Sequence, residues 1–69
     1  MFDQRKFKAH VVLKGMTLRG LAGEIGIDEA TLHRKMNGTS DFYRKEIQML
    51  CTILEISNPS DIFFAPNIT

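Results

Sequence analysis

The 69-residue chain has little of what usually staples a small protein together. It contains one cysteine, Cys51, no tryptophan and two prolines. A lone cysteine excludes an internal disulfide, and with only His10 and His33 beside it no metal-ligand spacing is present. We therefore predict neither a metal nor another cofactor. Since a core in so short a chain stabilises by only about 3–5 kcal/mol, good helix packing or a second subunit must add the rest.

Long apolar runs and targeting segments are missing as well. The start, MFDQRKFK, is too charged for a signal peptide, and no apolar run is long enough to span a bilayer. We expect no membrane partner, and the free thiol favours a reducing cytosol. No carboxylate pair, Ser/His/Asp set or phosphate-cradling glycine loop occurs in a plausible context, so the sequence predicts no catalytic residue and no enzyme.

Lysine and arginine are absent from residues 46–69, which carry three acidic side chains and a balance of −3. Residues 1–20 carry five cations against Asp3, a balance of 5 − 1 = +4. The formal net charge of +1 does not by itself indicate a nucleic-acid binder. The uneven distribution indicates either a basic face or a dipolar solvated surface.

Hydrophobic periodicity predicts one all-α domain over 1–69, made of five short helices with no convincing strand. Glycine and Asn-Gly steps supply the expected stops, and Thr17 and Asp28 are suitable N-caps for the second and third helices. Asn58-Pro59 is a start signal for the fifth. The expected helices span about 3–14, 18–25, 29–36, about 44–54, and a short stretch through 61–63 that is ended by Phe64-Ala65-Pro66.

The stretch AGEIGI, residues 22–27, carries the strongest pattern in the chain. Ala22 is small, as a closely crossing helix requires, and Gly26 suits a left-handed turn that we expect to be too tight for a β-carbon. Ile27 and Leu32 are placed to wedge two helices onto the core. These requirements are those of a helix-turn-helix, predicted over about 17–36, whose second helix lies in a DNA major groove.

Residues 16–38 resemble the helix-turn-helix of the Cro/phage-repressor (XRE-like) family, and the resemblance extends loosely over nearly the whole chain. SDFYRKEIQMLCTILEIS, followed by a short helix ending in IFF, is similar to small DNA-binding regulators of phages of Gram-positive bacteria. The resemblance implies a five-helix, lambda-repressor-like domain that works as a homodimer on a double-stranded DNA operator. It also implies a place in the bacterial cytosol or nucleoid.

The third helix can be divided into faces from its geometry alone. At about 100° per residue, the positions opposite Leu32 are Ala30 and Arg34. Arg34 suits guanine, Ala30 or Thr31 a thymine methyl, and Glu29 a cytosine amino group. The predicted base contacts are Glu29, Ala30, Thr31, His33 and Arg34.

A second set of polar residues flanks these and is predicted to contact phosphates, which position a protein without reading sequence. Two positions depart from the family pattern: Leu18 stands where a polar DNA contact is common, and Lys35 where an apolar residue is common. The Lys35 stem can cover the core while its ammonium reaches solvent or phosphate. The predicted phosphate contacts are Thr17, Arg19, Lys35, Asn37, Ser40, Arg44 and Lys45.

Three further residues have simpler predictions. Cys51 lies in the apolar stripe of the fourth helix and is expected to be a buried packing thiol. Phe63 and Phe64 are adjacent on a short helix and cannot both face one core, so we expect one of them to be shared with a partner.

Two functional hypotheses remain. The first is a sequence-specific DNA-binding transcriptional regulator, a phage or prophage repressor or Cro-like protein, whose dimer places helix three in successive major grooves about 34–36 Å apart. The alternative is an anti-repressor or modulator that binds another phage regulator. Near-neutral charge, Leu18 and the acidic Asp28-Glu29 pair favour the second.

Overall fold

The computed structural model describes residues 1–64, in which five helices and no strand occur. The predicted helices are confirmed with small shifts: α1 is shorter than expected at both ends, and α5 begins at Ser60, so that Pro59, the expected first helical residue, is its N-cap. The helix ends at Phe63 with Phe64 as C-cap, which agrees with the predicted stop at Phe64; the rest of that stop, Ala65-Pro66, lies outside the described residues. The helices are α1 (Gln4–Leu13), α2 (Leu18–Ile25), α3 (Glu29–Met36), α4 (Arg44–Leu54) and α5 (Ser60–Phe63).

A single hydrophobic core joins all five helices. Leu50 and Leu54 of α4 are 0 % and 1 % exposed, as the stripe on that helix predicts, but Ile47 and Cys51 are only half-buried. Cys51 packs against the core, where burial raises the pKa of its thiol; the expected packing is confirmed, but the expectation of a buried side chain is wrong. The buried apolar residues are Phe7, Val11, Leu21, Ala22, Ile25, Leu32, Met36, Leu50, Leu54, Ile56, Ile62 and Phe63.

The turn between α2 and α3 is a Schellman motif. The Ile27 N–H donates to the Ala22 carbonyl at 3.0 Å and the Gly26 N–H to the Gly23 carbonyl at 3.2 Å, with Gly26 at φ 81° and ψ 25°. The expected left-handed glycine is confirmed. The expected steric reason is wrong, because a β-carbon at Gly26 would meet no atom within 4 Å. Glycine is required there by the backbone angle alone.

Four phenylalanines close the end of the core beside α5. Adjacent ring centroids of Phe2, Phe7, Phe42 and Phe63 lie 5.0–6.4 Å apart at tilted or edge-on angles, which aromatic pairs prefer. The Asp3 N–H donates to the Ile62 carbonyl at 2.7 Å and ties the chain start to α5. Phe63 therefore belongs to the core, whereas its neighbour Phe64 is 63 % exposed.

None of the five described helices has the length and hydropathy needed to cross a bilayer. Within residues 1–64, no cluster of three or more His, Cys, Asp or Glu side chains is arranged as a metal site.

Candidate nucleic-acid interface

The helix-turn-helix fixes α3 against the core and leaves its far side in solvent. Leu32 is fully buried and Met36 nearly so, while the half-buried Ile27 packs at the turn. Asp28 caps the helix, and its carboxylate accepts from the Thr31 N–H at 2.7 Å. Because Ala22 is buried under this junction, the crossing of α2 and α3 is close.

The outward face of α3 contains the predicted base-contact residues. Four of them are exposed and Thr31 is half-buried, which agrees with the division of the helix into faces by its 100° repeat. Contact with a base stays a prediction for each of them. The exposed members are Glu29, Ala30, His33 and Arg34.

Three residues along the first turns of α3 form a hydrogen-bonded relay. The Arg34 guanidinium donates through Nη2 to the Thr31 hydroxyl at 3.1 Å. The Thr31 N–H in turn donates to the Asp28 carboxylate at 2.7 Å. Hydrogen bonding to Thr31 is the main reason why the pKa of Asp28 lies below its usual value, and the Arg34 charge lowers it further. The relay directs the Arg34 guanidinium back toward Thr31.

Three other polar side chains of this region have partners of their own. Glu29 and His33 stand four residues apart on α3, with Oε2 and Nε2 3.4 Å apart. Asn37, just after α3, accepts from the Gln4 side chain at 3.2 Å, which links it to the start of α1. The Asn37 amide nitrogen is still available to donate to a phosphate.

The start of α2 offers a hydroxyl and a cation. Thr17 caps the helix by accepting from the Gly20 N–H at 3.0 Å, and its own hydroxyl proton remains available as a donor. Arg19 is exposed in the first turn. Leu18, between them, is half-buried and packs against the core, so its apolar side chain is explained by packing.

Lys35 does not lie where the sequence predicts, and the expectation that its ammonium reaches solvent or phosphate is wrong. The residue is 5 % exposed, and its Nζ lies 3.0 Å from the Glu46 carboxylate. The same Nζ donates to the Asp41 carbonyl at 2.9 Å and lies 4.0 Å from the Tyr43 ring centroid. Because its donors point inward, Lys35 is no longer expected to contact phosphate.

The remaining predicted phosphate contacts follow α3 in the chain. The Ser40 N–H donates to the Arg34 carbonyl at 3.3 Å, which brings the loop to the end of α3. Arg44 and Lys45 form the first turn of α4 and are exposed. Neither forms an ion pair with any residue in 1–64.

Sequence reasoning missed Glu46, the buried partner of Lys35. The residue is 8 % exposed, and its carboxylate also accepts from the Tyr43 N–H at 2.8 Å. A signal was present: Glu46 stands three residues after Tyr43, where an N-terminal capping glutamate reaches back to the backbone. Its i, i+4, i+8 line with Leu50 and Leu54 also points it inward.

Residues 11–66 match the family model described as the Cro/C1-type HTH DNA-binding domain. No curated protein and no solved structure matches the chain. The match covers most of the chain and includes the whole α2–turn–α3 unit, which agrees with the resemblance drawn from the sequence. The chain belongs to the family of Cro/C1-type helix-turn-helix DNA-binding domains.

Proposed function

We propose that this chain is a sequence-specific transcriptional regulator, a phage or prophage repressor or Cro-like protein that inserts α3 into the major groove of its operator. The observation that carries the proposal is the solvent-facing side of α3, on which a relay orients Arg34 while the opposite side is locked into the core. A preoriented guanidinium loses less freedom when it forms its two bonds to guanine O6 and N7.

The other residues on this face are suited to different base edges. Ala30 is small enough for α3 to approach a thymine methyl closely, and the Thr31 methyl suits the same partner. Glu29 can accept from a cytosine amino group. Its carboxylate oxygen lies 3.4 Å from His33 Nε2 on the same face of α3.

Phosphate contacts from the elements around α3 fix the register of the helix in the groove. We assign them to hydroxyl, amide and cationic side chains that are exposed. They are Thr17, Arg19, Asn37, Ser40, Arg44 and Lys45.

Binding to the duplex that flanks the protein's own gene tests the proposal. Fluorescence anisotropy at two salt concentrations, beside a scrambled duplex, is expected to give tight, salt-weakened binding that prefers the native sequence. Arg34→Ala should cost about 1–3 kcal/mol on the native duplex and much less on the scrambled one. Arg5→Ala is the matched control, because Arg5 is also an exposed arginine that has no ion pair with residues 1–64 but lies on α1. Equal, weak binding of both duplexes by the wild type rejects operator recognition.

We further propose that the regulator acts as a homodimer, so that two copies of α3 meet successive major grooves about 34–36 Å apart. Phe64 supports this: its ring is 63 % exposed beside the cluster of Phe2, Phe42 and Phe63. A two-fold axis would pair the exposed Phe64 rings of the two copies. Sedimentation analysis of wild type and Phe64→Ser should show a dimer that the substitution weakens. A monomer at all concentrations rejects this arrangement.

One observation favours the alternative, a modulator that binds another regulator. Asp28 and Glu29 put two carboxylates at the exposed tip of α3, which suits a basic protein surface better than DNA. Failure of the wild type to bind either duplex, with retained binding of a second regulator by Arg34→Ala, would support it.

A further inference from the structure

The Lys35 ammonium is a buried cation whose partners all belong to one short stretch of chain. They are the carbonyl of Asp41, the ring of Tyr43 and the carboxylate of Glu46. Glu46 then binds the Tyr43 N–H. The result is a closed network between the last turn of α3 and the start of α4, with no buried side-chain nitrogen or oxygen of residues 1–64 left unpartnered.

Stability alone does not account for this network. Taking a lysine and a glutamate out of water has a large desolvation cost, and apolar residues of similar volume at such positions often give equal or greater stability. A buried ion pair is better suited to fixing one geometry than to raising the free energy of unfolding. The segment that the network holds in place therefore indicates what the network is for.

It fixes the loop between α3 and α4, residues 37–43, against α3. The N–H groups of Thr39 and Ser40 donate to the Arg34 carbonyl at 2.9 and 3.3 Å, which anchors the first half of the loop. Lys35 anchors the second half through Asp41 and the start of α4. Both anchors are consecutive residues of the helix that carries the proposed reading face.

The loop leads directly into two cations that lie at the electrostatically unfavourable end of their own helix. Arg44 and Lys45 occupy the first turn of α4, where the helix dipole disfavours positive charge. They have no ion-pair partner among the described residues. An anionic partner outside the chain, such as a DNA phosphate, would offset this unfavourable placement.

We propose that Lys35 is a positioning residue, whose buried ammonium holds residues 39–45 so that Ser40, Arg44 and Lys45 meet the DNA backbone while α3 occupies the groove. The inference rests on the proposed function. It assigns to Lys35 an indirect role in binding phosphate, in place of a direct contact.

The test separates positioning from folding. In Lys35→Met/Glu46→Met both charges are replaced by apolar groups, so the core should remain folded. Glu46→Gln is a milder second variant that keeps an acceptor for the Tyr43 N–H. The matched control is Val11→Ala, a core truncation on α1, compared at a temperature where circular dichroism shows every variant folded.

The readout is the slope of log affinity against log salt on the native duplex. Each lost phosphate contact should reduce the slope by about 0.9. We expect the double variant to lose about one to two units, although neither replaced side chain is exposed, and Val11→Ala to lose none. Adding Arg44→Gln and Lys45→Gln to the double variant should then reduce the slope little further, whereas the same two changes in the wild type should reduce it by about two.

Three outcomes decide the matter. A reduced slope in the double variant, with additional loss of amide-exchange protection at Thr39 and Ser40, supports the positioning role. A wild-type slope in the double variant, or an equal reduction in Val11→Ala, overturns the inference and leaves the proposed function intact. Absence of salt-dependent binding by the wild type overturns the proposed function and the inference together.

Discussion

Two glycines three residues apart, Gly23 inside α2 and Gly26 just after it, should respond to the same substitution with opposite signs. Neither would bring a β-carbon within 4 Å of another group, so alanine adds no steric clash at either site. They differ only in backbone conformation. Gly23 is helical, whereas Gly26 has φ 81° and ψ 25°.

The magnitudes follow from that difference. Gly23→Ala should stabilise the fold by about 1 kcal/mol, because alanine is the better helix former by that amount at an exposed interior position. Gly26→Ala forces an L-residue into the left-handed region, which costs about 1–2 kcal/mol. Part of that cost is offset by about 0.4–1 kcal/mol, because alanine narrows the unfolded ensemble. A net loss of about 1 kcal/mol is expected.

Thermal unfolding followed by circular dichroism measures both changes. For a domain of this size each kcal/mol shifts the melting temperature by about 4–8 °C, so the two variants should differ by about 8–16 °C with the wild type between them. Gly20→Ala is an internal check, since its β-carbon would lie 3.2 Å from the Thr17 hydroxyl oxygen and should yield a smaller gain than Gly23→Ala. A Gly26→Ala protein as stable as the wild type would refute the backbone argument.

Two further perturbations have signs fixed by the structure. The pKa of Asp28 is lowered in the folded chain, so this residue contributes stability above the unfolded pKa of 3.8, and this stability is lost as the pH falls through the lower folded pKa. Asp28→Asn keeps an acceptor for the cap and should flatten the acid part of a plot of the urea midpoint against pH. An acid part that is unchanged in the variant would contradict the assignment. Glu55 ends α4 at φ 54°, a left-handed angle that costs about 1–2 kcal/mol, and its mostly exposed ion pair with Lys14 returns at most about 1 kcal/mol. Glu55→Gly and Glu55→Ala lose the same ion pair, but only glycine relieves the strain, and this relief outweighs the about 0.4–1 kcal/mol that glycine loses to its freer unfolded ensemble. Glu55→Gly should therefore melt above Glu55→Ala, and the reverse order would contradict the strain assignment.

The helix boundaries were predictable because local chemistry sets them. Gly15, Gly26 and Gly38 all adopt positive φ at helix ends, and Thr17 and Asp28 both cap through their side chains. Each of these features depends on a few neighbouring residues and on nothing distant. The relay from Asp28 to Arg34 belongs to the same class, since its members are three residues apart on one helix, and it was open to prediction from spacing.

The buried pair of Lys35 and Glu46 was not predictable in the same way. The apolar character expected at position 35 suggests that the lysine stem packs inward, and the long side chain lets the ammonium reach solvent or phosphate. An unpaired buried charge would be very costly. Only a partner eleven residues away removes that cost, and the partner becomes visible only when α3 and α4 are packed together. Pairings of this kind depend on tertiary geometry, which hydrophobic periodicity does not encode.

Asp28 and Glu29, the acidic residues at the tip of α3, oppose DNA binding less in the structure than the sequence suggests. From sequence alone, Asp28 and Glu29 favour a protein partner over DNA, because both would repel phosphate. In the structure Asp28 is occupied as the cap of α3 and by its bonds to Thr31, and Glu29 stands beside His33. Both carboxylates thus have partners within α3. Among the described residues of the helix-turn-helix and the following segment, the cations Arg19, Arg34, Arg44 and Lys45 have no ion-pair partner, and neither do the acidic residues Glu24, Asp28 and Asp41. A chain that is nearly neutral overall can therefore still present cations toward DNA, and the salt dependence of its binding should follow those cations rather than the net charge.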